Sequence, residues 1–231
     1  MTGGHAGKVG EREMCEFDVL SAPGIEARVY RTGDDAGRAG VLVLHPWWGL
    51  NEDVLAFADR LAGAGFAVAA PDLYHGDVVR TVEAAEERVA RLDAAESMSI
   101  VRAAIAGLEA TLGPGGRIAV LGFSLGASIA VAAAGPAVRG TVLYYGTGDP
   151  ADAGGSQPIL GHFAETDPYE DEAWVAEFEA AVRSRGHETL FHRYAGTGHW
   201  FAEPSREAYR AEAAEVAFGR TLAFLERTLR G

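Results

Sequence analysis

Short apolar runs set apart by helical patterns constrain this chain most. GVLVLH (40–45) is wholly apolar, as expected of a strand buried on both faces. FAVAAPD (66–72), RIAVLGFS (117–124), GTVLYYG (140–146), PILGHFA (158–164) and HETLFHRY (187–194) read as further strands. Helical spacing fills the gaps: Val54, Ala58 and Leu61; Val82, Ala85, Val89 and Leu92; Val101, Ala104, Leu108 and Leu112; Trp174, Val175, Phe178 and Val182; and a last stripe from Ala211 to Leu229. Asn51 reads as the cap of the first helix, with Glu52 and Asp53 matching its dipole. Ser97 or Ser99 is the expected cap of the 101–112 helix. Ahead of these lie CEFDVL (15–20) and IEARVY (25–30), two alternating segments joined by SAPG, which predict a hairpin. An opening hairpin followed by β-α alternation predicts an α/β fold. Its sheet is mostly parallel, of about seven or eight strands, with an antiparallel N-terminal hairpin and helices on both faces, a three-layer αβα sandwich. Residues 13–231 read as one domain behind a flexible tail, 1–12.

In such sheets ligands bind at the carboxyl ends of the strands. One strand ends on LGFSLGAS (121–128), a Gly-x-Ser-x-Gly pattern that feeds a helix. With 30 glycines in 231 residues, chance alone supplies roughly 0.13 such matches. The strand-to-helix setting adds what composition cannot: a nucleophile elbow needs small neighbours because its serine sits on a sharp turn. The competing reading is a serine that merely caps the helix.

A serine needs a base to take its proton. Of seven histidines, His5 lies in the tail, His45 ends a strand and His75 follows one, while His162, His187 and His192 lie within or beside strands. His199 follows the loop YAGTG after the last strand and precedes the final helix, where a base can reach over the sheet. The base needs an acid to fix its tautomer. Asp167, directly after strand 158–164, is favoured over Glu165, Asp149 and Asp171. The order Ser124, Asp167, His199 is that of the α/β-hydrolases, whose fold the pattern of elements matches. The oxyanion donors are expected at the backbone N–H of Leu125 and, in the loop HPWWGLN, of Trp47.

Charge and composition narrow the partners. A net charge of −13 argues against nucleic acid and anionic membranes. No apolar run approaches the ~20 residues of a membrane helix, and the first dozen residues lack a secretory signal's apolar stretch, so the expectation is a cytoplasmic protein. The single cysteine, Cys15, permits neither an internal disulfide nor a cysteine metal site, and no glycine elbow surrounds it. No cofactor or metal is expected. The partner expected is a small-molecule substrate, and the chain a monomer or homodimer.

The segments LHPWWGLNEDVLAFADRLAGAGFAVAAPDLYHG (44–76), LGFSLGAS (121–128), GHFAETDP (161–168) and YAGTGHWF (194–201) together resemble the dienelactone hydrolase family. The resemblance spans about 25 to 229 and implies metal-free hydrolysis of carboxylic esters and lactones. By position it puts the nucleophile on Ser124, the acid on Asp167 and the base on His199. The chain also departs from the founding members. Ser124 replaces their cysteine, Pro46 replaces the glutamate that helps generate the thiolate, and Gly76 and Glu203 fall near their two substrate-holding arginines. A glutamate facing an anionic substrate repels it, so the expected substrate is a neutral or less acidic ester. Trp48, Tyr74, Tyr145 and Trp200, with Trp47, are the expected pocket walls. Other uses of the same fold are a non-hydrolytic binding module, an acyltransferase or a peptidase.

Overall fold

The computed structural model describes residues 17–22, 25–34, 38–133 and 135–231. The tail 1–12 and Cys15 lie outside them. The described residues form eight strands: β1 (Phe17–Ala22), β2 (Ile25–Thr32), β3 (Ala39–Leu44), β4 (Ala67–Pro71), β5 (Arg117–Phe123), β6 (Val138–Tyr144), β7 (Ile159–Thr166) and β8 (Thr189–Gly198). They join in one sheet in the order β1-β2-β4-β3-β5-β6-β7-β8. β1 and β2 pair antiparallel, as do β2 and β4, and every other pair is parallel.

The described residues also form six helices: α1 (Glu52–Gly63), α2 (Val82–Ala90), α3 (Ala94–Leu112), α4 (Leu125–Ala132), α5 (Glu172–Ser184) and α6 (Ala211–Leu229). The apolar runs are apolar because both sheet faces are covered. In β3, Val41 and Val43 join the core under α1 and α6, while Leu42 and Leu44 join the one under α3 and α4. Successive side chains of a strand alternate faces, so a strand buried on both admits a polar residue chiefly where a partner waits inside, as Tyr194 and Thr221 do for His162 of β7.

Local chemistry sets the helix ends. Asn51 caps α1 by accepting from the N–H of Val54 at 3.2 Å. α3 starts earlier than the expected serine caps. Asp93 is its cap, accepting from Ala95 and Glu96. Ser97 and Ser99 lie inside the helix and donate back to the carbonyls of Asp93 and Ala95, the usual fate of a helical serine. Trp174 leaves the expected stripe of α5: it is exposed, whereas Val175, Phe178 and Val182 are buried. The central parallel strands run in one direction, so the loops after β3, β5, β6, β7 and β8 share one end of the sheet.

Candidate active site

Ser124 stands between β5 and α4 with φ 49° and ψ −112°, a left-handed backbone that a serine adopts only under constraint. The flanking glycines make that turn possible. A Cβ on Gly122 would strike the carbonyl of Gly126, and one on Gly126 would strike the carbonyl of Leu44 at the end of β3. The Ser124 N–H donates to the carbonyl of Tyr144 at 2.9 Å. Ser124 holds the N-cap position of α4, yet its side chain makes no capping bond. Its Oγ lies 2.9 Å from His199 Nε2.

His199 follows β8, and its Nδ1 lies 2.7 Å from Asp167 Oδ2. Both side chains are buried, 3% and 2% exposed. The second oxygen of Asp167 accepts from the N–H groups of Tyr169 and Glu170, at 2.9 and 3.1 Å. With Oδ2 as acceptor, His199 Nδ1 carries the proton and Nε2 is left to face the serine hydroxyl. The other carboxylates of this region are engaged elsewhere. Glu165 accepts from Gly196, Asp149 caps a short 3₁₀ turn (Pro150–Asp152), and Asp171 caps α5.

Leu125 opens α4, so its N–H has no carbonyl one turn behind it to bond. Trp47 sits in a turn closed by the Gly49 N–H on the Pro46 carbonyl, 3.1 Å. Neither the Leu125 nor the Trp47 N–H has a hydrogen-bond partner among the described residues. His45 holds that turn in place. Its Nε2 accepts from the Leu73 N–H at 3.1 Å, which leaves Nδ1 to donate to the Pro46 carbonyl at 2.7 Å. Burial pushes its pKa down, in keeping with a neutral ring.

The expected pocket walls divide. Trp47 and Trp200 are partly buried and pack together, ring centroids 5.9 Å apart. Trp200 also lies 5.0 Å from the His199 ring. Tyr74 is not a wall: it is buried, edge-on to His45 and under the Arg88 guanidinium. Tyr145 is fully buried beneath His199, with ring centroids 5.1 Å apart. Trp48 is buried under the Arg206 guanidinium and only edges a groove of about 560 Å³. Arg80, Arg206, Arg210 and Trp200 also line that groove. Tyr169 was not anticipated. It is 44% exposed, and its ring lies 4.9 Å from His199 and 5.3 Å from Trp47. Its place two residues after Asp167 was the available signal.

Glu203 corrects the argument about substrate charge. It is 2% exposed, and its Oε1 accepts from the Tyr145 hydroxyl at 2.9 Å. Burial pushes its pKa up to about 8, so at neutral pH it is mostly uncharged and turned inward. A negatively charged substrate meets no repulsion from it. Among the described residues, no three His, Cys, Asp or Glu side chains converge as metal ligands. No described helix is long and apolar enough to cross a membrane.

Comparison with known proteins gives the family and the fold. A Bradyrhizobium protein named "Probable 2-oxo-3-(5-oxofuran-2-ylidene)propanoate lactonase" is 32% identical over 83% of this chain and 84% of its own length. Among solved structures, a dienelactone hydrolase-like promiscuous phosphotriesterase from metagenomic libraries superposes with a TM-score of 0.78 at 20% identity, covering 93% of this chain and 98% of that one. A thermophilic esterase of Thermogutta terrifontis does so with a TM-score of 0.70 at 16% identity, covering 94% and 96%. Residues 25–229 match the dienelactone hydrolase family, to which this chain therefore belongs.

Proposed function

We propose that this hydrolase cleaves a carboxylic ester or lactone through a Ser124–His199–Asp167 triad and an acyl-enzyme. The observation that carries the reading is the withheld cap. Ser124 occupies a helix N-cap in a strained backbone, and its hydroxyl bonds the imidazole in place of the helix. A structural serine would cap α4.

Ser124 Oγ attacks the carbonyl carbon while His199 Nε2 takes its proton. Asp167 stabilises the imidazolium and remains ionised. The oxyanion of the tetrahedral intermediate accepts from the N–H groups of Leu125 and Trp47. As the intermediate collapses, the C–O bond to the alcohol breaks and His199 returns the proton to the departing oxygen. In a lactone that alcohol stays attached to the acyl group. Water, deprotonated by His199, then attacks the acyl carbon and releases acid and Ser124. A serine activated this way needs no carboxylate at Pro46.

The acyl group is open to either charge. Glu203 is buried, and the groove beside Trp200 carries Arg80, Arg206 and Arg210 against one carboxylate, Glu207. The test is labelling with a fluorophosphonate, followed by a panel of esters and lactones in matched neutral and carboxylate-bearing pairs. The reading expects one adduct, on Ser124, and hydrolysis of at least one pair. No adduct favours a binding module. An adduct with acyl passed to an added alcohol in preference to water favours an acyltransferase.

A further inference from the structure

Three aromatic rings lie against His199: Tyr145, Tyr169 and Trp200, at 5.1, 4.9 and 5.0 Å. Two of them sit nearer the surface. Tyr169 is exposed, and the indole N–H of Trp200 has no hydrogen-bond partner. Tyr145 is fixed at both ends. Its backbone N–H donates to the His162 carbonyl at 2.7 Å, and its hydroxyl donates to Glu203. Its φ of 37° is left-handed, which a tyrosine adopts only when its surroundings enforce it. The next residue, Gly146, packs directly on the Ser124 backbone. One short segment thus touches both the serine and the histidine, and Glu203 ties it to the loop that carries His199.

Resting on the triad reading above, we infer that Glu203, acting through Tyr145, is a positioning residue for His199, and that loss of its proton is transmitted to the imidazole. The groups facing the Glu203 carboxyl are the Tyr145 hydroxyl, the Arg206 guanidinium and Asp53, whose own carboxylate accepts from Ser205. The void beside it, lined by Asp53, Val54, Phe57, Phe123 and Ala202, measures about 10 Å³, room for about one water. Glu203 Oε2 has no hydrogen-bond partner. Its nearest cation, Arg206 Nε, stands 3.9 Å away and also lacks one. With its proton, the carboxyl stays with Tyr145. Without it, the carboxylate accepts more strongly from Tyr145 while its Oε2 is drawn toward Arg206, so the ring beneath His199 shifts with the ionisation of Glu203.

Two readouts test this on the whole chain. The first is the His199 imidazole signal in proton NMR, followed from pH 6 to 10. In the native chain it shifts with an inflection near pH 8, where Glu203 ionises; in Glu203→Gln that inflection is gone. The second is the pH profile of turnover on a short p-nitrophenyl ester. Tyr145→Phe lowers kcat about tenfold at pH 7 with KM little changed. Glu203→Gln, which still accepts from Tyr145, keeps kcat about tenfold above Glu203→Ala and lacks the native chain's change in kcat near pH 8. A merely structural carboxyl would change melting temperature and leave both profiles alone. An NMR inflection that persists in Glu203→Gln overturns the inference, even if no variant melts differently. If the native chain hydrolyses nothing in the panel, the triad reading fails, and the NMR titration still decides the role of Glu203.

Discussion

Asn51 and Ser124 occupy the same place in two β-α units. Each is the N-cap residue of a helix that follows a parallel strand, α1 after β3 and α4 after β5. Asn51 has an extended backbone and bonds its helix. Ser124 has a left-handed backbone, leaves its helix uncapped and reaches His199. Thr81, Asp93 and Asp171 behave as Asn51 does. A side-chain cap contributes about 1 kcal/mol, and a strained non-glycine backbone costs about 1–3 kcal/mol. Local stability is given up at one helix start and taken at the other. That difference marks the site more sharply than the Gly-x-Ser-x-Gly pattern does.

The largest effect expected comes from Ser124→Gly. It removes the proposed nucleophile and lets the residue at φ 49° relax. Turnover of a short p-nitrophenyl ester should fall by roughly 10⁴–10⁶-fold. Thermal unfolding should show unchanged or greater stability, by about 1 kcal/mol. A variant that loses both activity and stability would put Ser124 in the same class as Asn51 and break the comparison.

Glu203 sharpens it, because a second group near His199 is also held against its own preference. Its pKa is about 8 in the folded chain, against an ordinary 4.5. Between those values the folded state binds the proton and the unfolded state does not. Stability from this group is therefore full below about pH 4.5, declines as pH rises, and is lost above about pH 8. Glu203→Gln should remove that slope and stabilise the protein at pH 9 by a few kcal/mol. Parallel melting curves for both chains would reveal a mistaken sign.

Gly126→Ala tests the packing that makes the elbow. The added methyl must move the Leu44 carbonyl, at the end of the strand that leads into the Trp47 turn. Overpacking of this kind costs about 1–3 kcal/mol. Activity should fall with it, because the turn carries the second proposed oxyanion donor. A fully active and equally stable variant would mean that the elbow does not depend on close strand contact.

Much of this was legible in the sequence for a physical reason. Wholly apolar strands and 3.6-spaced stripes report burial directly, and strand ends in a parallel sheet converge. Ser124, Asp167 and His199 stand out in the sequence because each follows a strand, and the structure brings their side chains within hydrogen-bond distance. Facing was not legible. Tyr74 and Tyr145 follow strands too, yet their rings turn into the core. The partner that fixes Glu203 lies 58 residues away, so its place near a substrate-holding arginine of the family suggested a charge facing substrate. Tyr169 escaped because an exposed tyrosine in a polar loop carries no periodic signal. The caps of α3 were misplaced because serine both caps helices and back-bonds within them.

The smallest effect is the one that completes the pair. Asn51→Ala removes the bond to the Val54 N–H and should cost about 1 kcal/mol, read from chemical denaturation at an unchanged m-value. Turnover should stay within about twofold of the native chain, because Asn51 touches none of the proposed triad and the turn ahead of it is held by His45. The sign is opposite to that expected of Ser124→Gly in both measurements: stability falls and activity stays. If Asn51→Ala instead lowered kcat as strongly as it lowered stability, α1 would be positioning the Trp47 turn through its first residue. The two helix starts would then form one functional unit, with no division between a stabilising end and a working one.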